Sequence, residues 1–334
     1  MRAKRNIIPV FVPHLGCPNN CVFCNQRKIS GSVLPANAET VKSAVTEALE
    51  RIPDKSNIQL AFYGGSFTAI PLQEQNELLD AALPFLHEGT ISSLRLSTRP
   101  DAIDESTLIR LRERGVKTIE LGAQSMCDEV LEASGRGHEA RQTAQAAKLI
   151  KEHGFELILQ MMTGLPGDSK QRSIETARKI IALKPDGVRI YPTVIIENTP
   201  LYDMWKAGLY PEHTVQEAVE TCAEILPMFE EAGIPAIRLG LNPTEELTGG
   251  AAAGGAYHPA FGELVKSRIF LERARALLKS GVHGENVILK VNKADVSAMT
   301  GQKRANITAL CQEFSLKSLK VSAADVQKNS LFLS

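Results

Sequence analysis

Strand-length apolar runs alternate with helical patterns through the first two thirds of this 334-residue chain. In residues 38–52 and again in 214–232, apolar side chains recur three and four positions apart, which is typical of a helix that buries one face. Consecutive strand–helix units predict parallel strands joined by right-handed crossovers, and therefore an α/β fold. The apolar runs of strand length are 6–13, 57–63, 93–97, 116–122, 156–162, 187–196 and 234–240.

Polar or glycine-rich segments follow five of these runs, as in Tyr63-Gly64-Gly65-Ser66 and Gly164-Leu165-Pro166-Gly167. In parallel α/β barrels the active site lies on the loops that leave the carboxyl ends of the strands. The sequence therefore predicts a partial, six-stranded (β/α) barrel of the TIM type, with one site shared by these strand ends.

The composition changes after residue 242. Residues 249–256 contain only glycine and alanine, which predicts a flexible or closely packed connector. A helix is expected at 260–280, followed by a small strand–helix–strand extension at 286–334 with its helix near 303–314. We therefore predict a barrel domain at 1–242 and a small C-terminal α/β extension within 243–334.

Charge and hydropathy exclude several classes of protein. The chain has 38 basic and 38 acidic side chains, so it has no overall electrostatic attraction to nucleic acid, and such a partner would need a local basic patch. No apolar run reaches the roughly 18 residues that a membrane-spanning helix requires. We expect a cytoplasmic protein that does not contact membranes.

Three of the six cysteines, Cys17, Cys21 and Cys24, lie in one loop with the spacing C-x3-C-x2-C. Clustered thiolates favour zinc or an iron–sulfur cluster over hard cations. A structural zinc site would need a fourth ligand, for which His14 is the nearest candidate. A four-iron cluster held by three cysteines would instead leave one iron open to a small molecule. Cys222 and Cys311 fall on apolar helical stripes and are expected in the core, and the role of Cys127 stays open.

This cysteine spacing after the first strand, with the aromatic Phe23 before the third cysteine, resembles the radical S-adenosylmethionine (SAM) superfamily. The resemblance implies a [4Fe-4S] cluster bound by Cys17, Cys21 and Cys24, with SAM chelated by the open iron. It also implies reduction by an external one-electron donor of the flavodoxin or ferredoxin type. Reductive cleavage of SAM would then yield a 5′-deoxyadenosyl radical.

The same resemblance assigns SAM contacts to the strand ends. Ser66 stands where the family commonly has a glutamate, and Arg99 suits a carboxylate because a guanidinium can bind it through two hydrogen bonds. The expected cofactor-binding residues are Phe23, Tyr63, Gly64, Gly65, Ser66, Thr98, Arg99, Gln124, Arg136, Gly164 and Tyr191.

Within the superfamily, residues 7–210 most resemble the radical SAM part of the elongator catalytic subunit, which modifies uridine in tRNA. The segments Arg136-Gly137-His138 and Arg189-Ile190-Tyr191-Pro192-Thr193 are among those that carry this resemblance. It implies tRNA as the substrate. Residues after 242 show no glycine loop for acetyl-CoA, so carboxymethyluridine chemistry does not carry over.

Two alternatives stay open. The spacing C-x3-C-x2-C is shared with oxygen-independent coproporphyrinogen oxidases, which makes a small molecule such as a porphyrinogen the second candidate substrate. A non-catalytic iron–sulfur or nucleic-acid-binding protein would keep the cysteines without needing the SAM contacts.

Overall fold

The computed structural model describes residues 6–12, 16–17, 21–25, 36–242, 247–281 and 283–334. Contacts divide them into two compact units. The first contains the described residues up to Thr214 together with Met228–Tyr257, and the second contains Val215–Pro227 and His258–Ser334. The boundary expected after residue 242 falls inside the first unit.

A parallel sheet organises the first unit, whose strands are β1 (Asn6–Val12), β2 (Ile58–Gly64), β3 (Ser93–Thr98), β4 (Val116–Gln124), β5 (Glu156–Thr163), β6 (Gly187–Pro192), β7 (Val194–Ile196), β8 (Ala236–Leu239) and β9 (Ala252–Gly255). Seven of them form one sheet in the order β1-β2-β3-β4-β5-β6-β8, with every neighbouring pair parallel. The partial TIM-type barrel is thus confirmed. Its strand number is seven instead of six, because the apolar run at 234–240 adds β8 beside β6.

Helices follow the strands as the apolar periodicity predicts. Asn37 begins the first helix by accepting a hydrogen bond from the backbone NH of Thr40 at 3.0 Å, and this helix buries Val41 and Val45. The helices in this part of the chain are α1 (Ala38–Arg51), α2 (Leu72–His87), α3 (Glu105–Glu113), α4 (Asp128–Ala133), α5 (Ala140–Glu152), α6 (Lys170–Ala182), α7 (Pro200–Lys206) and α8 (Val215–Glu231).

The part of the glycine–alanine segment that forms β9 is closely packed, whereas Gly249 and Gly250 have open space around them. Its residues in β9 pair antiparallel with β7, so that Gly255 lies opposite Val194. Gly255 has a φ of +79°, and a Cβ there would lie 2.8 Å from the carbonyl oxygen of Thr193. Only glycine allows this backbone approach without strain. The β9 part of the segment therefore packs against β7.

The second unit has its own sheet and core. Its elements after α8 are α9 (Phe261–Ser280), β10 (Asn286–Asn292), α10 (Val296–Thr300), α11 (Ala305–Glu313), β11 (Ser318–Ala324) and β12 (Leu331–Leu333). The strand order is β11-β10-β12, and the buried core includes Leu278, Leu289 and Leu310. Cys311 packs against this core, and Cys222 is buried in α8, as their apolar stripes predict. No helix in the described ranges is long and apolar enough to cross a membrane.

Candidate cofactor site

The described part of the cysteine loop is held on two sides. The backbone NH of Val22 donates to the carbonyl oxygen of Ser134 at 3.1 Å, and its own carbonyl accepts from the NH of Leu201 at 2.9 Å. Cys21 is buried, whereas Cys17 and Cys24 are partly exposed. Phe23 packs with Val22 against an apolar cluster formed by Ile195, Leu201 and Tyr210. The structure therefore anchors the loop through both its backbone and its aromatic residue.

The start of the loop lies against the turn that follows β2. Gly16 has a φ of +67°, and a Cβ at this position would overlap the carbonyl oxygen of Ser66. The NH of Gly65 donates to the carbonyl of Val12 at 2.8 Å, and Gly64 has a φ of +103°. These glycines thus serve a close approach between two backbone segments, which brings the Tyr63–Ser66 turn directly beside the cysteine loop.

Ser66 and Thr98 connect the ends of β2 and β3. The Oγ of Ser66 is buried, lies 3.0 Å from Oγ1 of Thr98, and accepts from the backbone NH of Arg99 at 3.1 Å. Thr98 also lies 2.6 Å from Oγ1 of Thr68. Both hydroxyls therefore have partners inside the protein, and their contact with SAM stays a prediction.

Arg99 and Arg136 are buried together. Arg99 makes two hydrogen bonds to Asp101, at 2.8 and 2.9 Å, and its Nη2 also donates to the carbonyl of Arg136 at 2.9 Å. Hydrogen bonds and charge from Arg99 outweigh burial and hold the pKa of Asp101 below its usual range. Since Arg99 already binds one carboxylate bidentately, the carboxylate of SAM would compete with Asp101 for it.

Arg136 joins the cysteine loop to the end of β4. Its Nη1 donates to Sγ of Cys21 at 3.3 Å, and its Nη2 donates to the carbonyl of Gly122 at 2.6 Å. The guanidinium therefore contacts a side chain expected to bind the cluster. The family resemblance assigned Arg136 to SAM without this sulfur contact.

Gln124 ends β4 in a strained conformation. Its φ is +63°, and the pairing of β4 with β5 shifts register between Gly122 and Gln124. The side-chain amide lies over Gly122, where a Cβ would be 2.9 Å from Nε2. This amide has no hydrogen-bond partner among the described residues. Strained residues with unused polar groups are typical of ligand sites.

Gly164 and Tyr191 occupy different surroundings. Gly164 has a φ of +75°, a Cβ there would overlap the ring of His213, and its carbonyl accepts from the hydroxyl of Tyr210 at 2.5 Å. The glycine is therefore required by packing within the chain. Tyr191 lies on β6, with its hydroxyl 3.4 Å from Nη1 of Arg189. Burial raises the pKa of the Tyr191 phenol.

A buried ionic network connects β2 to β6, and sequence reasoning did not find it. Glu120 is fully buried and accepts hydrogen bonds from Arg95 at 2.7 Å and from Arg189 at 2.7 and 3.0 Å. Tyr63 donates to it at 2.9 Å, and Gln160 at 3.0 Å. Burial alone would raise the pKa of Glu120, but the two guanidinium groups hold it below its usual range.

The network also fixes the protonation of Tyr63. Its hydroxyl accepts from Nη2 of Arg189 at 3.0 Å, and the Arg189 guanidinium carbon lies 5.5 Å from the centre of its ring. Burial, followed by the charge of Glu120, raises the pKa of Tyr63 far above its usual value. The phenol, which is neutral at physiological pH with its ordinary pKa, is thereby kept neutral to still higher pH. Charged residues within the apolar strands β3, β4 and β6, as in Leu94-Arg95-Leu96, were the sequence signal that could have revealed this network.

The donor set fits an iron–sulfur cluster in chemistry. Three thiols lie on the described loop, and a buried cation contacts one of them. Within the described ranges, no three His, Cys, Asp or Glu side chains are grouped closely enough to hold a metal ion. His14, the candidate fourth ligand for zinc, lies outside the described residues.

Two family models match the chain. The radical SAM superfamily model matches residues 11–180, and the Radical_SAM C-terminal domain model matches residues 185–270. The fold and the cysteine loop beside the strand ends are those of a SAM-dependent iron–sulfur enzyme. Since the superfamily model matches half of the chain, the protein belongs to the radical SAM superfamily. Membership implies a [4Fe-4S] cluster and SAM as cofactors.

One curated relative is named for an activity on tRNA, and another is named for the Elongator complex. The chain is 31% identical over 195 residues to the tRNA uridine(34) acetyltransferase of Methanocaldococcus jannaschii, covering 52% of this chain and 36% of that protein. It is 33% identical over 138 residues to human Elongator complex protein 3, covering 40% of this chain and 25% of the relative. The chain thus spans about a third or less of these relatives' length.

Other similarities cover a larger share of the matched protein. An uncharacterized M. jannaschii protein is 31% identical over 214 residues, which covers 61% of this chain and 65% of that protein. The solved structure of Elp3 from Methanocaldococcus infernus, with an N-terminal deletion, has a TM-score of 0.62 and 22% identity, covering 84% of this chain and 64% of that one. Coproporphyrinogen III oxidase from Escherichia coli has a TM-score of 0.50 and 19% identity, covering 69% and 53%. These two structures establish similarity of fold alone.

Proposed function

We propose that this protein binds a [4Fe-4S] cluster through Cys17, Cys21 and Cys24, cleaves SAM reductively and acts on a nucleoside of tRNA. The observation that carries the first part is the contact of Arg136 with Sγ of Cys21 and with the carbonyl of Gly122. It puts the cysteine loop at the carboxyl end of β4, where a barrel of this kind has its active site.

With both cofactors bound, the cluster would supply one electron to SAM, whose cleavage into methionine and a 5′-deoxyadenosyl radical would provide the species that abstracts hydrogen from the substrate. The chain's own residues bind and orient. The Tyr63–Ser66 turn offers backbone groups beside the loop, and Gln124 offers an amide with no partner among the described residues. Tyr191 lies near the carboxyl end of β6.

The inner face of the sheet, which carries Tyr63, Arg95, Glu120 and Arg189, is held rigid by hydrogen bonds and ion pairs. A rigid lining suits a site that holds a reactive radical. Glu120, Arg95 and Arg189 are held by short ion pairs, with side chains that are 0%, 3% and 14% exposed. Groups already locked by packing and hydrogen bonds need no reorganisation during a reaction. We therefore assign to this network the role of lining the active site. Its neutral residue Tyr63 also begins the Tyr63–Ser66 turn beside the cysteine loop.

The substrate part of the proposal relies on the relatives. Proteins named tRNA uridine(34) acetyltransferase and Elongator complex protein 3 match this chain within its radical SAM region. A tRNA substrate for a chain with zero formal net charge requires a local basic surface. We also propose a flavodoxin- or ferredoxin-type protein as electron donor, because SAM cleavage consumes an electron that the chain does not generate.

Anaerobic reconstitution tests the cofactor chemistry. With iron, sulfide, dithionite and SAM, the wild-type protein should form 5′-deoxyadenosine. Cys24→Ala should lose both the cluster absorbance and this product, because it removes one of three proposed ligands. Cys311→Ala is the matched control, since it removes another partly buried thiol and should retain both. A wild-type protein that holds a cluster but forms no 5′-deoxyadenosine would contradict the enzymatic proposal.

A comparison of tRNA nucleosides tests the substrate. Total tRNA from cells with and without the gene would be digested to nucleosides and analysed by mass spectrometry. The proposal predicts one modified nucleoside that is missing without the gene and returns with the wild-type gene, but not with the Cys24→Ala gene. Unchanged nucleosides, together with SAM cleavage stimulated by coproporphyrinogen, would favour the small-molecule alternative.

A further inference from the structure

Arg136 is placed more rigidly than a flexible ligand-binding arginine. Its backbone NH donates to the carbonyl of Leu131 at 3.0 Å, and its carbonyl accepts from Nη2 of Arg99 at 2.9 Å. The flanking Gly135 and Gly137 have φ values of +65° and +67°, which turn the chain sharply on both sides of it. The side chain is only 7% exposed.

The contacts form a continuous series that ends on sulfur. Asp101 binds Arg99 through two hydrogen bonds, Arg99 binds the carbonyl of Arg136, and Nη1 of Arg136 donates to Sγ of Cys21 at 3.3 Å. The charge of Arg99 is matched by Asp101. Arg136 therefore brings a cationic guanidinium within hydrogen-bond distance of Cys21.

A cation that donates a hydrogen bond to a cluster thiolate has a defined electrostatic effect. One-electron reduction makes the cluster more negative, so a nearby positive charge stabilises the reduced form more than the oxidised form. Hydrogen bonds to the sulfurs and local charge are among the main determinants of cluster potentials. Burial strengthens both effects, because the interaction is poorly screened by solvent.

We propose that Arg136 is a positioning residue for the cluster, which orients Cys21 and raises the reduction potential, rather than a contact for SAM. This inference rests on the proposed function, since it requires the cluster. It changes the role expected from the family resemblance, and it gives Arg99 and Asp101 a role in holding Arg136 in place.

The test compares three variants of the reconstituted full chain. Mediated redox titration, followed by electron paramagnetic resonance of the reduced cluster, gives the potential, and equilibrium dialysis gives the affinity for SAM. At a fixed applied potential, Arg136→Gln should lower the ratio of reduced to oxidised cluster at least about tenfold. For a one-electron couple, this corresponds to a decrease of about 59 mV in the reduction potential. SAM affinity should change less than twofold. Arg110→Gln removes a partly buried arginine of α3 with the same change in net charge, and should leave the potential unchanged.

Arg136→Lys provides a second decision if the glutamine variant takes up no cluster. Lysine keeps the charge but cannot donate to Cys21 and Gly122 through a planar fork, so its potential should also be lower than that of the wild type. If the Arg136 variant that takes up a cluster has the same reduction potential as the wild type, the inference is overturned. Weaker SAM binding at an unchanged potential overturns it too, and returns Arg136 to the SAM site. A wild-type protein that takes up no cluster refutes the proposed function itself.

Discussion

Replacing Glu120 by glutamine removes the central charge of the inner-face network while changing the side chain's volume little. The carboxylate accepts five hydrogen bonds, three of them from guanidinium groups of Arg95 and Arg189. Glutamine can accept through one oxygen only, and its NH2 group would face the donors. Two arginines that are 3% and 14% exposed would then lose their common counter-charge.

The expected cost follows from the burial of the pair. Breaking a buried ion pair by removing one partner typically costs about 3–5 kcal/mol, because the remaining charge is left without compensation. An exposed ion pair contributes about 0–1 kcal/mol. Glu120→Gln should therefore lower the free energy of unfolding of the first unit by about 3–5 kcal/mol, at the upper end of single-site effects.

Urea denaturation followed by fluorescence of the single tryptophan, Trp205, measures this change. Trp205 lies on α7 in the first unit, so its signal reports the unit that contains the network. Glu47→Gln is the matched control, because its ion pair with Arg51 is exposed and should change stability by less than about 1 kcal/mol. A loss for Glu120→Gln no larger than that of the control would refute the energetic role given to the network.

Two further predictions concern the residues around the cysteine loop. Burial, followed by the charge of Arg136, lowers the pKa of His138 to about 4. The pKa of histidine in the unfolded chain is about 6.5, so as the pH falls the unfolded chain takes up this proton before the folded protein does. The free energy of unfolding should therefore decrease by up to about 3 kcal/mol as the pH falls from 6.5 to 4. His138→Gln should lack this component, and equal pH profiles of the two proteins would contradict it. Gly16→Ala should reduce the cluster content after reconstitution, because the added Cβ overlaps the carbonyl of Ser66 at a φ of +67°; Gly89→Ala also has a positive φ but open space around it, and unaltered cluster content in both variants would refute the packing argument.

The fold was accessible from the sequence because its signals are local. Apolar periodicity over 38–52 and 214–232 predicted helices that the structure places at Ala38–Arg51 and Val215–Glu231. Polar or glycine-rich segments after five of the apolar runs predicted that these strand ends share one site. The strand number was one too low, because the 234–240 run gave only the short strand β8, whose pairing with β6 no local pattern specifies.

The site was only partly accessible, because its decisive contacts join distant residues. Arg136 and Cys21 are 115 positions apart, and Arg189 and Glu120 are 69 apart. No spacing rule links such pairs, since they depend on how the strands are ordered and on which face each side chain lies. The partner of Arg99 was nearer, because Asp101 follows it by two positions and competes with any external carboxylate.

The electron paramagnetic resonance spectrum of the reduced protein, recorded with and without SAM, tests the central claim most directly. Anaerobically reconstituted protein should contain about four iron atoms per chain. Its spectrum should change when SAM is added, because SAM would bind the iron that Cys17, Cys21 and Cys24 leave open. Protein that retains zinc in place of iron, or a cluster whose spectrum is the same with and without SAM, would contradict the account.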